Sequence, residues 1–443
     1  MVPPARVALW LIAIAMTATG CATPTVDRID PAPPEVAAAP AVPVAPAAPV
    51  PLPAPGPGPG SGSGPRTEPS PTPAAPPSPA PEPVLRLPED GEGPVRVALL
   101  LPLSGGNAGI GRDLLDAAQV ALFDAAPARF ELAPRDTGGT PEGARAAVES
   151  ALQGGAQIIL GPLFGTSVRA AAGTARARDV PIVAFSTDRA VAGNGVYLLG
   201  VMPDQQVDRA IAFAARRGLG RYAAVVPAGA YGDTVLDALE RASGRHGGAV
   251  VRIERYAPHG GEWRESVLRL AAFGRRREDV PVAPPFDAVF IPQGGPALRR
   301  IAPLLAYHDV DPGEVRFIGT SLWEGPDLGR EPSLVGGWFA APSPADSAAF
   351  LARFAEIYGR RPPRIATLAY DAVALATTLA GVPGGADFSP AALADPSGFA
   401  GVDGVFRFRP DGIAERGLAV VEVEADGLRV VGPAPRTFER LTN

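Results

Sequence analysis

Three short segments carry the residue types best suited to gripping a small polar ligand. They are Leu103-Ser104-Gly105-Gly106-Asn107, Gly161-Pro162-Leu163-Phe164-Gly165-Thr166-Ser167 and Phe185-Ser186-Thr187-Asp188. Each hydroxyl offers a donor and acceptors, and glycine lets a backbone approach a bound group closely. A helical pattern follows each segment, so the unpaired N–H groups of a first turn would face an anionic group such as a carboxylate. Every Ser or Thr here can also simply cap the next helix. Thr166 and Ser167 read as caps, whereas Ser104 and Ser186 suit either role. A second set, Tyr231-Gly232, Gln293-Gly294-Gly295 and Thr320-Ser321-Leu322-Trp323-Glu324, ends apolar runs that would point the same way. Tyr231 can stack on a ligand or cover a hinge. The candidate ligand-binding residues are therefore Ser104, Gly105, Leu163, Phe164, Ser186, Thr187, Asp188, Tyr231, Gln293, Ser321 and Glu324. Asp371 lies inside a helical stretch and reads as a structural hydrogen-bond partner.

Catalytic chemistry finds little support. All 40 basic residues counted as Lys plus Arg are Arg, which excludes a lysine Schiff base, a P-loop lysine and a Ser-Lys dyad. The three histidines, His246, His259 and His308, are scattered and match no metal-ligand spacing. Neither Ser186 nor Ser321 stands in a G-x-S-x-G turn. Glu422 and Glu424 share one face of a strand, which reads as a solvated face. The expectation is binding without catalysis, with no metal and no cofactor. A net charge of −6 gives no general attraction for nucleic acid.

These loops need elements to position them. VRVALLLPLSG (95–105) is a continuous apolar run ended by Pro and Gly, as in a strand buried on both faces. Helix-periodic and strand-like stretches then alternate: GRDLLDAAQVALFDA, FELAPRD, TPEGARAAVESALQGG, AQIILGP, TSVRAAAGTARARD and VPIVAFS. Thr140 is placed as an N-cap, Pro141 as the first helical residue and Gly154 as the stop. Such β-α repetition at short spacing predicts a parallel, doubly wound sheet. A second β-α series begins at DQQVDRAIAFAARRG and runs to VRFIGTS, with the break near 200–204. After Trp338 two long helices return. The tail is strand-like, with turn signals at Asp411-Gly412 and Asp426-Gly427. The fold class is α/β: two doubly wound parallel-sheet lobes, joined by more than one crossing, with a cleft between them. The expected segments are the first lobe at 95–201, the second at 202–338, return helices at 339–400 and C-terminal strands of the hinge or second lobe at 401–443.

The amino-terminal part is of another kind. Arg6 precedes the apolar run VALWLIAIAM (7–16), which is too short to span a bilayer. Small residues follow, then Cys21, the one cysteine in 443 residues. It can close no intramolecular disulfide. The context resembles a bacterial lipoprotein box, which implies a signal peptide at 1–20 and lipidation of Cys21. Ala22, rather than Asp, then implies outer-membrane sorting. From 21 to 94 the chain is mostly Pro, Ala, Gly, Ser and Val, a composition that cannot bury a core and favours a polyproline-II-rich tether.

The folded part resembles the type I periplasmic binding proteins of the leucine-binding branch. The resemblance rests on VALLLPLSG, ILGPL, VPIVAFSTD, AYGDTVLDAL, YDAVALA and GVDGVFRFRPDG, in that order. With the lipid signal, the tether, LLLPLSG and Glu415-Arg416-Gly417-Leu418, it is closest to the outer-membrane lipoprotein activators of penicillin-binding proteins. That resemblance implies a lipid-anchored module on the periplasmic face, with a penicillin-binding protein as partner in peptidoglycan synthesis. The alternative is the substrate-binding lipoprotein of an ABC importer for branched-chain or related amino acids. There the first-lobe loops would hold the carboxylate of an amino-acid-like ligand, at Phe164 or Gly165 and Ser186 to Asp188. Tyr231 would pack on the ligand. Ser321 stands where that branch places the carboxylate that anchors the ammonium, with Glu324 displaced nearby.

Overall fold

The computed structural model describes residues 93–257, 263–274, 285–325 and 327–438. The expected signal peptide, Cys21, the Pro-rich segment and His259 lie outside them. The first lobe is built on β1 (Val95–Leu101), whose residues from Val97 onward are almost fully buried. It lies between β2 (Phe130–Asp136) and β3 (Ile158–Leu160), which explains why its sequence is apolar on both faces. Helix α1 (Ala108–Ala125) links β1 to β2, and α2 (Pro141–Gln153) links β2 to β3. The α2 start is as expected: the Thr140 side chain accepts from Gly143 N, Pro141 opens the helix and Gly154 ends it. After α3 (Gly165–Arg176) come β4 (Ile182–Ala184) and β5 (Val196–Leu198). The sheet is all parallel, in the order β2-β1-β3-β4-β5.

The second lobe opens with α4 (Pro203–Ala215), β6 (Arg221–Pro227), α5 (Ala230–Arg245), β7 (Ala249–Tyr256) and α6 (Trp263–Gly274). It continues through β8 (Ala288–Phe290), α7 (Gly295–Tyr307), β9 (Arg316–Thr320) and β10 (Trp338–Ala341). Its sheet runs β15-β14-β10-β9-β8-β6-β7, with β14 (Ala419–Glu424) and β15 (Gly427–Gly432) antiparallel at one edge. Strand β10 therefore extends the second sheet three residues past 338.

Between β10 and β14 the chain returns to the first lobe. Helices α8 (Pro344–Tyr358) and α9 (Ala366–Ala380) bury Phe350, Phe354 and most of α9 in the core that holds β1 and α1. The short α10 (Pro390–Leu393) leads into a small antiparallel sheet, β11 (Phe399–Gly401), β12 (Gly404–Phe408) and β13 (Ala414–Arg416). Phe406, Phe408 and Ala414 join the same core. The chain thus passes between lobes at 199–202, 342–343 and 417–418. The first and last passages are stitched together. Arg416 donates from Nε and Nη2 to Leu199 O at 3.3 and 3.2 Å, and Gln205 Nε2 donates to Ala414 O at 2.7 Å.

Strand order locates the ligand crevice. The chain leaves β1 for β2 on one side, then returns past β1 to β3 on the other. In the second lobe the same reversal falls between β6 and its neighbours β7 and β8. Beyond the carboxyl ends at such switch points, the loops diverge and leave an opening.

Candidate functional site: the cleft between the lobes

A cavity of about 630 Å³ opens at these switch points and takes walls from both lobes. The first lobe contributes Leu163 and Phe164 after β3, Phe185 to Asp188 after β4, Ile110 of α1 and Ile365 before α9. The second contributes Ala230, Tyr231 and Thr234 from the first turns of α5. The volume suits a small organic molecule, and the lining is mainly apolar with a few polar groups. Another cavity, of about 670 Å³, lies beside the chain crossings, among Gln205, Arg209, Arg416 and Pro433. Its guanidiniums are already used: Arg209 donates to Leu418 O and Pro433 O, and Arg409 pairs with Asp411. The cleft, at the strand ends, is the candidate site.

Two glycines let its first-lobe wall form. Gly161 has φ +82°, and a Cβ there would lie 2.3 Å from Leu100 O, so only glycine fits where the β3 exit presses on β1. At Gly165 a Cβ would lie 2.7 Å from Asp188 Oδ2. The Asp188 carboxylate therefore lies against the amino end of α3, where the helix dipole favours it. Asp188 Oδ1 accepts from Ala190 N at 3.0 Å, and Oδ2 pairs with Arg169 at 3.3 Å. Ser186 Oγ accepts from Asp188 N at 3.0 Å and so shapes this loop while lining the cleft. Arg189, also on the wall, pairs with Asp204 at 2.5 Å.

Across the cleft, the Tyr231 hydroxyl lies 3.1 Å from Thr320 Oγ1. Burial pushes its pKa up, so the phenol stays neutral and presents its ring. Glu324 does not face the first-lobe loops as a free carboxylate. Its Oε2 lies 2.8 Å from Arg364 Nε, in the segment before α9. Charge attraction is in place, yet that oxygen has no aligned hydrogen bond. Arg364 also pairs with Asp403 at 2.5 Å, and Thr367 Oγ1 donates to Asp403 at 2.6 Å. Burial pushes Glu324 up to about 7, against the pull of Arg364 and with the push of Asp403. For Arg364, burial works downward, but Asp403 and Glu324 outweigh it and hold the guanidinium charged. Beside this set, Asp371 is fully buried, pairs with Arg416 at 3.0 Å and accepts from Val402 N at 2.7 Å.

Residues 94–428 match the family model described as periplasmic binding protein. The chain is a type I periplasmic binding protein. Solved structures share the fold at low identity. One is a putative branched-chain amino acid ABC transporter protein from Rhodospirillum rubrum: TM-score 0.64, 20% identity, 76% of this chain and 100% of that one covered. The leucine binding protein LivK of Thermotoga maritima gives TM-score 0.57 and 19% identity, covering 77% and 98%. A solute binding protein of Rhodopseudomonas palustris BisB5, in complex with 3,4-dihydroxybenzoic acid, gives 0.58 and 18%, covering 77% and 96%. An uncharacterised protein of Rickettsia prowazekii (strain Madrid E) is 25% identical over 146 residues, 33% of this chain. The match spans only 39% of that relative's length.

Within this binding protein the structure brings Leu163, Phe164, Ser186, Thr187, Asp188 and Tyr231 to one cavity. Ser104, Gly105, Gln293, Ser321 and Glu324 are not among the residues lining it. The Ser104 loop is instead tied to Asp136, which accepts from Leu103 N, Ser104 N and Gly138 N at 2.9, 3.2 and 2.7 Å. The Ser104 hydroxyl leads the interactions that hold the Asp136 carboxyl below its usual range. Ser321 N donates to Gln206 Oε1 at 2.7 Å, joining the β9 exit to the start of α4. Sequence reasoning missed Ile110, Ile365, Arg364 and Gln206. Arg364 stands in RRPPRIA with no paired signal nearby, because its partners lie 40 residues before it and 39 after.

Proposed function

We propose that this chain is a non-catalytic solute-binding protein of the cell envelope, which holds a small organic ligand between its lobes for an ABC-type importer. The observation that carries this reading is the cavity at the switch points of both sheets, walled by residues of both lobes. On the first-lobe wall, Ser186 and Thr187 suit the polar end of a ligand. Phe164, Phe185 and Tyr231 suit an apolar body. The proposal extends to an anchor at Cys21 on the periplasmic face, in the outer membrane. A receptor of this kind gains stability with the logarithm of ligand excess, by about 2.7 kcal/mol at a hundredfold excess over Kd. A melting-temperature screen of small organic acids and amino acids tests it, and no shift from any of them rejects it. Labelling with a fatty-acid analogue, lost in Cys21→Ser, tests the anchor.

A second reading is an activator of a penicillin-binding protein. One observation favours it: Glu324 and Arg364 pair directly across the lobes. Retention of a penicillin-binding protein in a pull-down, with no ligand response, would decide for it.

A further inference from the structure

Linked charged side chains meet where the lobes touch, and acids outnumber bases. Asp371, Asp403 and Glu324 are the acids; Arg364 and Arg416 are the bases. Asp371, Asp403 and Arg416 are buried, and Glu324 is mostly so. The first lobe supplies all but Glu324: Arg364 ahead of α9, Asp371 within α9, Asp403 in the turn between β11 and β12, and Arg416 on β13. That first-lobe set balances, because Arg416 pairs with Asp371 at 3.0 Å and Arg364 with Asp403 at 2.5 Å. Glu324, which follows β9, is what the second lobe adds. The other cross-lobe pair, Arg189 with Asp204, matches one acid to one base and leaves the sum unchanged.

An uncompensated charge taken out of water is costly, and the group neutralises instead. The hydrogen bonds show which acid takes the proton. Asp403 also accepts from Thr367 Oγ1 at 2.6 Å, and Asp371 accepts from Val402 N at 2.7 Å. Glu324 has Arg364 Nε 2.8 Å from its Oε2, and that oxygen has no aligned hydrogen bond. It is the least firmly held acid of the set. The charged groups acting on it are Arg364 and Asp403; burial pushes its carboxyl up to about 7 against the first and with the second. Asp371, pushed up to about 6 by burial, has its partners Arg416 and Val402 in the first lobe and keeps them when the lobes part.

We propose that joining of the lobes takes up one proton from solvent at Glu324, and that parting of the lobes returns it. In the parted arrangement Glu324 stands in water as an ordinary carboxylate, and the first-lobe set stays neutral. A proton bound on joining favours the joined form as the pH falls. Acid therefore brings the lobes together, and alkali parts them.

The test reads the lobe-to-lobe distance of the ligand-free chain by resonance energy transfer at pH 8.5 and 5.5. Dyes sit on Arg178→Cys in the first lobe and Arg241→Cys in the second, both exposed positions, and Cys21→Ser removes the native thiol. The ratio of near to far molecules is expected to be higher at pH 5.5 by about tenfold or more. With Glu324→Gln, which has nothing to titrate there, the ratio is expected to be the same at both pH values. A ratio that stays constant or falls in acid, with Glu324 in place, overturns the inference. An equal pH response in Glu324→Gln overturns it as well. Difference infrared spectroscopy over the same interval is expected to show more protonated-carboxyl absorption with Glu324 than with Glu324→Gln, and equal absorption overturns the assignment to this residue.

Discussion

Glu324 makes a pH prediction at the scale of one residue. Its carboxyl is pushed up to about 7 in the folded chain, from an ordinary value of 4.5. Between those two values the folded state binds the proton and the unfolded state does not. This group therefore stabilises the fold more as the pH falls from about 7 toward 4.5, and the contribution is lost as pH rises through that window. The full span amounts to about 3 kcal/mol. Glu324→Gln should flatten this part of the stability profile, measured by urea unfolding from pH 4.5 to 8; an unaltered slope would contradict the assignment. Asp371 shares this window, because burial pushes its carboxyl up to about 6 against the pull of Arg416, so Glu324→Gln removes only its own part of the slope. Gly161 gives a second prediction. Alanine there adds a Cβ 2.3 Å from Leu100 O at φ +82° and should cost about 2–4 kcal/mol. A midpoint unchanged in denaturant titration would refute it. Residue types alone indicated Ser186, Thr187, Asp188 and Tyr231, because short polar loops after apolar runs are visible in a chain. What Glu324 does was not visible, because Arg364 and Asp403 reach it only through the fold.

The elements owe their form to local pattern, and their joins to burial. Thr140, Pro141 and Gly154 frame α2 where the sequence places them. The tail is harder to read: strand pattern alone does not show that β11 to β13 pack on the first core while β14 and β15 extend the second sheet. Glu422 and Glu424 show the same limit. They look like a solvated face, yet both pair with Arg429, and Glu422 also accepts from Trp338 Nε1 at 2.8 Å. Asp371 and Arg416 join α9 to β13 at the point where the chain leaves for the second lobe. Removing one partner of a buried pair leaves the other charge uncompensated, typically at 3–5 kcal/mol. Arg416→Met should therefore lower stability by about that amount in urea unfolding, and more than Arg96→Met, which breaks only an exposed pair with Glu131. Equal losses would deny the hinge pair its role.

For the whole molecule, the cross-lobe pair has a consequence for shape. Glu324–Arg364 and Arg189–Asp204 each pair across the lobes, beside the three chain passages. Arg364→Gln should increase the radius of gyration of the ligand-free protein in small-angle scattering, and a saturating ligand should bring it back. An unchanged radius would mean that the passages and the Arg189–Asp204 pair are enough to hold the lobes.

Local pattern was enough to establish the class of fold and the alternation of strand and helix. Those features depend on neighbours in the chain: periodicity, caps and turn residues act over a few positions. Only the tertiary structure decided which loops share a cavity and which charges are spent. Arg364 meets Glu324 and Asp403 across about 40 residues on either side, and burial, which strengthens those pairings, exists only once the chain has folded around them.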